Sequence, residues 1–421
     1  MLGLRVGGSG LGVLNGVLLA RLIGPSQFGA YAIGISLAGL ASVLCILGLP
    51  VFVTRETAAR VEHGQWAQLK GLLRAIYRLV AISTLAILGL AAVLLVSGVI
   101  RTDAGWKIIS IIGVLTVVGA FNQMRAALLR GFHWVILADI PDQFVRPTVM
   151  LVLIAAMYLT AERVDASGAL QMQLLAASVA LGIGVWWLLK KRPDEMRAAG
   201  REETGLNTLA VALPFLSIAV LTTLEAQTAL YLLGYISGSR EAGMYQAASQ
   251  FVAVIVIGLV AVNMPLQPKL AAAWARADRV ECQRLLTGTA RKGTVVALLG
   301  SVLMVFLPGT LLRLYGPGYA EAADAMRILA VGQVFSAGAG SCGILLLMTG
   351  HQRVFLQGMI IALVANAAIG ELAIPHLGTM GGALSATAGL IIWNSYYVAY
   401  AMKKLGLNTT IVGGWKLRSI S

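Results

Sequence analysis

Long apolar runs broken by short polar stretches organise this chain from end to end. Twelve runs, near residues 2–20, 28–53, 79–100, 106–129, 134–160, 168–189, 207–236, 243–267, 294–314, 322–349, 354–374 and 380–402, are each of a length to form a membrane-crossing helix. Crossing about 30 Å of hydrocarbon takes roughly 20 helical residues, and a helix satisfies its own backbone polar groups where water is absent. The pattern therefore predicts an all-α integral membrane protein of about twelve transmembrane helices. In the first run Gly8, Gly12 and Gly16 stand four apart, a smooth face on which another helix can approach closely. That run exceeds the roughly 7–15 residues of a signal-peptide core, and "LLARLIGP" lacks a small-x-small cleavage pattern. It is read as a retained span, so close to the first residue that a few upstream residues are expected to be missing.

Composition agrees: 58% of the residues are hydrophobic and 12% charged, and the mean hydropathy is +0.83. A soluble domain carries about a quarter charged residues. The positive charge is unevenly spread. Even-numbered connections hold Arg55, Arg60, Lys70, Arg74, Arg78, Arg125, Arg130, Arg146, the Lys190–Arg201 group, the Lys269–Lys292 group and Arg353, and the tail holds Lys403, Lys404, Lys416 and Arg418. Odd-numbered ones hold only Arg21, Arg101, Lys107, Arg163, Arg240 and Arg313. The positive-inside rule places the even loops and both termini in the cytoplasm, and the net charge of +14 belongs to a face attracted to anionic lipid, with no nucleic-acid partner implied. From Trp66, the apolar residues Leu69, Leu73, Ile76 and Val80 alternate with Lys70, Arg74 and Arg78 at helical spacing, which predicts a surface-lying lead-in to the third span.

The stretch "ARLIGPSQFGAYAIGISL" at Ala20–Leu37 returns as "GYISGSREAGMYQAASQF" at Gly234–Phe251. Gly29 and Gly243, like Tyr31 and Tyr245, stand 214 apart, and Pro50 and Pro265 stand 215 apart. Leu72-Leu73 matches Leu285-Leu286, Arg101 matches Arg313, and Gly131 matches Gly350. The chain reads as a duplicated six-helix unit: an N-terminal lobe over 1–189, a cytoplasmic linker over 190–206, a C-terminal lobe over 207–402 and a basic tail over 403–421. Six crossings per unit imply parallel repeats about an axis along the membrane normal, a plan found in transporters.

Motifs for chemistry are scarce. There is no G-x-x-x-x-G-K-[ST] phosphate loop and no H-E-x-x-H. His63, His133, His351 and His376 fall in different loops, so no metal site is expected. Cys45, Cys282 and Cys342 imply no disulfide framework. The short outside connections argue against a glycan polymerase or ligase, which would need loops to carry its active site. No cofactor is implied, and no enzymatic activity is expected.

The segments "LLARLIGPSQFGAYAIGISLAGLASVLCILGLPVFVTRE", "LLGYISGSREAGMYQAA", "LLRLYGPGYAEAADAMRILAVGQ" and "HLGTMGGALSAT", in this order from about Leu18 to Lys404, resemble the polysaccharide flippases of the multidrug/oligosaccharidyl-lipid/polysaccharide superfamily, the O-antigen and exopolysaccharide repeat-unit translocases. The resemblance implies a V-shaped two-lobe transporter moving undecaprenyl-diphosphate-linked oligosaccharides across a bacterial cytoplasmic (inner) membrane by alternating access. Lipid II flippases and drug/cation antiporters are relatives, and twelve spans favour the polysaccharide branch. It also implies an acidic residue near Ala229 in the seventh span. Glu225 stands one turn earlier instead, on the same helix face, which leaves that family position's ion-coupling role open.

A diphosphate-sugar cargo needs cations for phosphate and polar side chains for hydroxyls. Polar residues within spans usually face an interior path. The substrate-cavity candidates are Arg5, Arg55, Asn122, Arg146, Glu225, Gln227, Asn263 and Asn366, with Asn15, Gln123, Arg327 and Glu371 behind them. Plainer roles compete: Arg5 and Arg55 can snorkel to lipid phosphates, Arg327 can pair with Asp324 or Glu321, Asp139 and Asp142 can balance Arg146, and amides can join helices. Pro141 and Pro147 are expected to kink the fifth span and free carbonyls for a cavity. Expected partners are the polyprenyl-diphosphate-linked glycan, H+ or Na+, anionic lipid, and a glycan polymerase or glycosyltransferases of the same pathway. The alternative function is an ion-coupled multidrug exporter of the same superfamily; a carboxylate-dominated cavity would favour it, an arginine-dominated one the glycolipid.

Overall fold

The computed structural model describes residues 2–97, 106–160, 164–200, 202 and 208–413. Arg101, Arg163, Arg201, Lys416 and Arg418 lie outside them. The twelve apolar runs are mostly helical over their described residues, with non-helical breaks at 46–49, 264–265, 307 and 340–341, and no strand occurs among the described residues. The helices are α1 Leu2–Cys45, α2 Pro50–Glu62, α3 Trp66–Val96, α4 Trp106–Gly131, α5 Val135–Ile140, α6 Arg146–Thr160, α7 Ala166–Lys191, α8 Asp194–Ala198, α9 Thr208–Ile236, α10 Ser239–Asn263, α11 Leu266–Ala275, α12 Arg279–Phe306, α13 Pro308–Leu312, α14 Ala323–Ala339, α15 Cys342–Met348, α16 Gln352–Leu377 and α17 Thr379–Tyr400.

Among the described residues nine helices are long and apolar enough to cross a bilayer, or ten if the bent pair Tyr319–Ala339 and Cys342–Met348 is one span. Counting the bent pair as one span, two features account for the difference between ten and twelve. The 39-residue candidate Gly7–Cys45 contains two of the runs, parted at Gly24, whose φ of 75° and ψ of 170° leave the helical region just before Pro25. The last run, α17, is not among the nine; Thr379, Gly381, Gly382, Ser385, Gly389 and Asn394 dilute its hydropathy, and all six are buried. The lead-in at Trp66 is not a separate surface-lying helix. It continues without a break into the third span as α3, with Leu69, Leu73, Ile76 and Val80 in a core shared with α2 and α4. No glycine or proline acts as a breaker at the join, and the apolar stripe runs straight through.

The duplication is written into the backbone. Gly24 has its counterpart 214 positions on at Gly238, with φ 88° and ψ 174°. Gly64 and Ala277, 213 apart, both have positive φ, 65° and 57°. The helix ends there close with the same bonds: His63 N to Ala59 O and Gln65 N to Arg60 O in one copy, Arg276 N to Ala272 O and Asp278 N to Ala273 O in the other. His133 and Gly350, with φ 61° and 82°, share the positive-φ position before α5 and α16, so the backbone register there is 217, not the 219 of the Gly131 and Gly350 match. Two capping aspartates start later helices: Asp165 Oδ1 accepts from Gly168 N at 2.8 Å and Asp278 Oδ1 from Glu281 N at 2.9 Å, satisfying orphan N–H groups. The Gly168 N–H holds the Asp165 carboxyl below the usual carboxylate range.

The chain forms two compact units: Gly3–Asn15 with Ile33–Thr223, and Gly16–Ala32 with the chain from Leu224 onward. The seam falls inside α9, beyond the linker, and the turn of α1 belongs with the second unit. There the two equivalent turns touch reciprocally. A Cβ on Gly29 would strike the Ser239 carbonyl, and one on Gly243 would strike the Pro25 carbonyl; Pro25 and Ser239 are themselves 214 apart. Ser26 and Ser239 hydroxyls meet at 3.0 Å. Of the three glycines of the first run, Gly8 abuts Gln143 in the first unit and Gly16 abuts Gln250 in the second, whereas Gly12 has open space.

Candidate functional site

In the second unit a cavity of about 580 Å³ opens between α9, α10, α14 and α17. Helical spacing on α10 places Gln246, Ser249, Gln250 and Asn263 along one stripe facing it; α9 adds Glu225 and Gln227, α14 adds Gln333 and Ser336, and α17 adds Thr387 and Trp393. Among the described lining residues Glu225 is the one carboxylate, and none is lysine, arginine or histidine. Some polar groups are already held: Tyr315 Oη donates to Gln250 Oε1 at 2.7 Å, and Ser341 Oγ to Asn263 Oδ1 at 2.6 Å. The side chains of Glu225, Gln227, Gln246 and Gln333 have no hydrogen-bond partner among the described residues. An amide offers both donors and an acceptor, as a sugar hydroxyl does, and the volume falls within the ordinary 300–1,000 Å³ of ligand sites. A smaller cavity of about 280 Å³ shares Asn263, Ser336 and Trp393.

In the first unit the chain from α5 to α6 passes through one π-helical turn, Pro141–Val145. The expected kink thus takes the form of a π turn, a device that inserts a residue without ending a helix. Asp139 and Asp142 do not balance Arg146. Arg130 holds Asp139 at 2.7 Å, and Arg125 holds Asp142 at 3.1 Å. Asn122 accepts from Arg125 Nε at 2.9 Å and donates to Asp142. Arg125 is only 2% exposed, so this neutral set of two arginines and two aspartates holds a charge that would otherwise be costly to bury. Arg146 is half-buried and has no ion pair among the described residues. The freed backbone of the fifth span is partly used, since Asn15 Nδ2 donates to Pro147 O at 2.9 Å.

The structure thus brings Glu225, Gln227 and Asn263 to one cavity and puts Asn122 in a buried structural network. Asn366, fully buried, donates to the Glu225 carbonyl at 3.5 Å and joins helices; it does not line the cavity. Arg55 is exposed, beside Glu56 at 3.2 Å and near the Phe52 ring. Gln123 and Glu371 are exposed. Arg327 pairs with Asp324 at 2.6 Å. The side chain of Arg5 lies outside the described residues. Sequence reasoning missed Gln246, Gln250, Gln333 and Trp393. The i, i+3, i+4 spacing of Gln246, Ser249 and Gln250 in an otherwise apolar run was the available signal.

The sequence matches the family described as "Polysaccharide biosynthesis protein" over residues 2–274. No curated protein matches the chain in sequence. Among solved structures, the fold is similar to an inward-facing multidrug resistance MATE family transporter of the MOP superfamily, with a TM-score of 0.79 at 14% identity, covering 100% of this chain and 96% of that one. An outward-facing transporter of the same description matches with a TM-score of 0.68 at 16% identity over 96% and 94%. A MOP superfamily transporter from Pyrococcus furiosus, described by a binding pocket of reverse polarity, matches with 0.66 at 14% over 96% and 94%. With the family match spanning well over half of its length, the chain belongs to the polysaccharide biosynthesis protein family, and over nearly all of its length it has the multi-pass helical fold of MOP superfamily transporters.

Proposed function

We propose that the protein is a flippase that carries polyprenyl-diphosphate-linked oligosaccharide units across a bacterial cytoplasmic membrane by alternating access, with both termini in the cytoplasm and no catalytic step. The observation that carries this is the second unit's cavity: amides and hydroxyls with Trp393 and one carboxylate. It is dominated neither by carboxylates nor by arginine. A cationic drug gains little from neutral amides, whereas sugar hydroxyls pair with them as donors and acceptors, and Trp393 offers an apolar face. Arg146, unpaired among the described residues, is a suitable grip for the diphosphate, by two parallel hydrogen bonds. Glu225 is the coupling candidate: neutral when protonated or bound to Na+, it tolerates a nearby anion, and ionised it repels one, giving a gradient a differential hold on cargo. Glycosyltransferases or a polymerase of the same pathway would supply and consume the cargo.

The test is glycan export in a flippase-deleted strain. Gln246→Leu with Gln333→Leu should weaken the hold on cargo, and lower export, by up to about 30-fold, at about 1 kcal/mol per lost hydrogen bond, with protein abundance unchanged. Arg146→Lys should impair it, and Glu225→Gln should weaken its dependence on the ion gradient. Unaltered export alongside lost drug tolerance in the same variants would replace this reading with the multidrug exporter. A cytoplasmic reporter fused at Lys191 should be active; an inactive one would refute the orientation.

A further inference from the structure

We propose that a basic cavity in the first unit, separate from the amide-lined one, is a binding site for the phosphate group of an anionic amphiphile. The cavity, of about 640 Å³, lies between α3, α4, α7 and the start of the linker. Four cations line it, Lys70, Arg74, Arg125 and Arg192, and no carboxylate does among its described lining residues. Asp194, Glu195 and Glu202 on the neighbouring linker are exposed and are not part of the lining.

The site is built, not a random scatter of surface charge. Lys70 is pinned: its ammonium donates to the carbonyls of Arg197 at 3.0 Å and Ala199 at 2.7 Å. Arg125 is buried, and its Nε and Nη2 are engaged by Asn122, Asp142 and the Ala138 carbonyl. Its Nη1 is also buried and has no hydrogen-bond partner among the described residues. A buried guanidinium N–H left unpaired costs free energy that an incoming anion would recover. The place of that guanidinium depends on Gly184 of α7, where a Cβ would overlap Nη1. Arg74 and Arg192 have no ion pair among the described residues, so their charge is free for a ligand. Asp142 pairs with Arg125 at 3.1 Å, so the net positive charge at the cavity comes from Lys70, Arg74 and Arg192. Leucine and valine side chains from α7, Leu181, Val185 and Leu188 among them, form an apolar wall suited to acyl chains. Basic pockets between membrane helices bind phosphate headgroups through this combination.

The experiment titrates the purified full chain in detergent with phosphatidylglycerol, with phosphatidylcholine and with inorganic diphosphate, reading dissociation constants by native mass spectrometry. Phosphatidylglycerol is expected to bind more tightly than phosphatidylcholine. Arg74→Gln with Arg192→Gln, changing two side chains outside the core, should weaken it about 30-fold, from about a fivefold loss per cation. Arg353→Gln with Lys404→Gln, two exposed cations of the second unit, should leave it unchanged. Gly184→Ala, which displaces the guanidinium, should weaken binding as well. If diphosphate alone binds with the same dependence on Arg74 and Arg192, the natural ligand is a soluble phosphate; if only the lipid does, it is a headgroup. Either supports the site. Equal binding by parent and the Arg74/Arg192 variant, or equal losses in the two double variants, overturns it.

Discussion

A methyl group placed on Gly29 has nowhere to go. Its carbon would overlap the Ser239 carbonyl oxygen and stand 2.7 Å from the Gly243 nitrogen and 2.8 Å from the Ser239 carbonyl carbon, where carbon needs about 3.5 Å. These are backbone atoms at the start of α10, not the tip of a side chain that can swing aside, so the crossing turns must part by more than an ångström. Overpacking of this kind costs about 1–3 kcal/mol, which lowers the closed-to-open ratio of the crossing about 5- to 150-fold. Cysteines at 26 and 239, where serine hydroxyls now lie 3.0 Å apart, report that fraction as a disulfide-formation rate under mild oxidant, in a background lacking Cys45, Cys282 and Cys342. Gly29→Ala should slow cross-linking, by up to that factor, and Gly243→Ala should do the same through the Pro25 carbonyl. Gly12→Ala, with nothing within 4 Å, should leave the rate unchanged. Cross-linking of the Gly29→Ala protein at the parental rate would show that the turns do not depend on contact this close.

Two further outcomes concern buried charge and capping. In the Arg125–Asp142 pair the arginine side chain is 2% exposed and the aspartate 31%, so Asp142→Leu strands a charge that is almost wholly buried, whereas Arg125→Met strands one that is partly exposed. Asp142→Leu should therefore cost about 3–5 kcal/mol of unfolding free energy in detergent and Arg125→Met clearly less; the reverse order would refute the assignment. Asp165→Asn should remove the charged cap of α7, a loss of about 1 kcal/mol or less. Because the folded carboxyl titrates below the unfolded value of about 3.9, that contribution is present above the unfolded value and lost as pH falls through the folded one. Parent and variant should differ between pH 5 and 8 and converge near pH 2; a difference that persists in acid would mean the cap is not electrostatic.

Much of this protein is legible in one dimension because a bilayer imposes a one-dimensional rule. Each crossing must be a long apolar helix, so the runs, the absence of chemistry motifs and the duplication can be read without knowing any contact. Even the reciprocal crossing of Gly24–Gly29 with Gly238–Gly243 was foreshadowed, since both copies repeat glycine where the backbone turns and where it is approached. Side-chain partnership was not legible. Asp139 and Asp142 stand nearer in sequence to Arg146 than to the arginines that hold them, because a π turn and the packing of α4 on α5 decide which guanidinium they meet. Asn122 and Asn366 carry the same polar signature as Gln227 and Asn263, yet the first two join helices and the last two line a cavity. The sequence determined that polar groups lie within the apolar helices; only the tertiary structure decided which join neighbouring helices and which face a cavity, since that depends on which helix faces oppose one another.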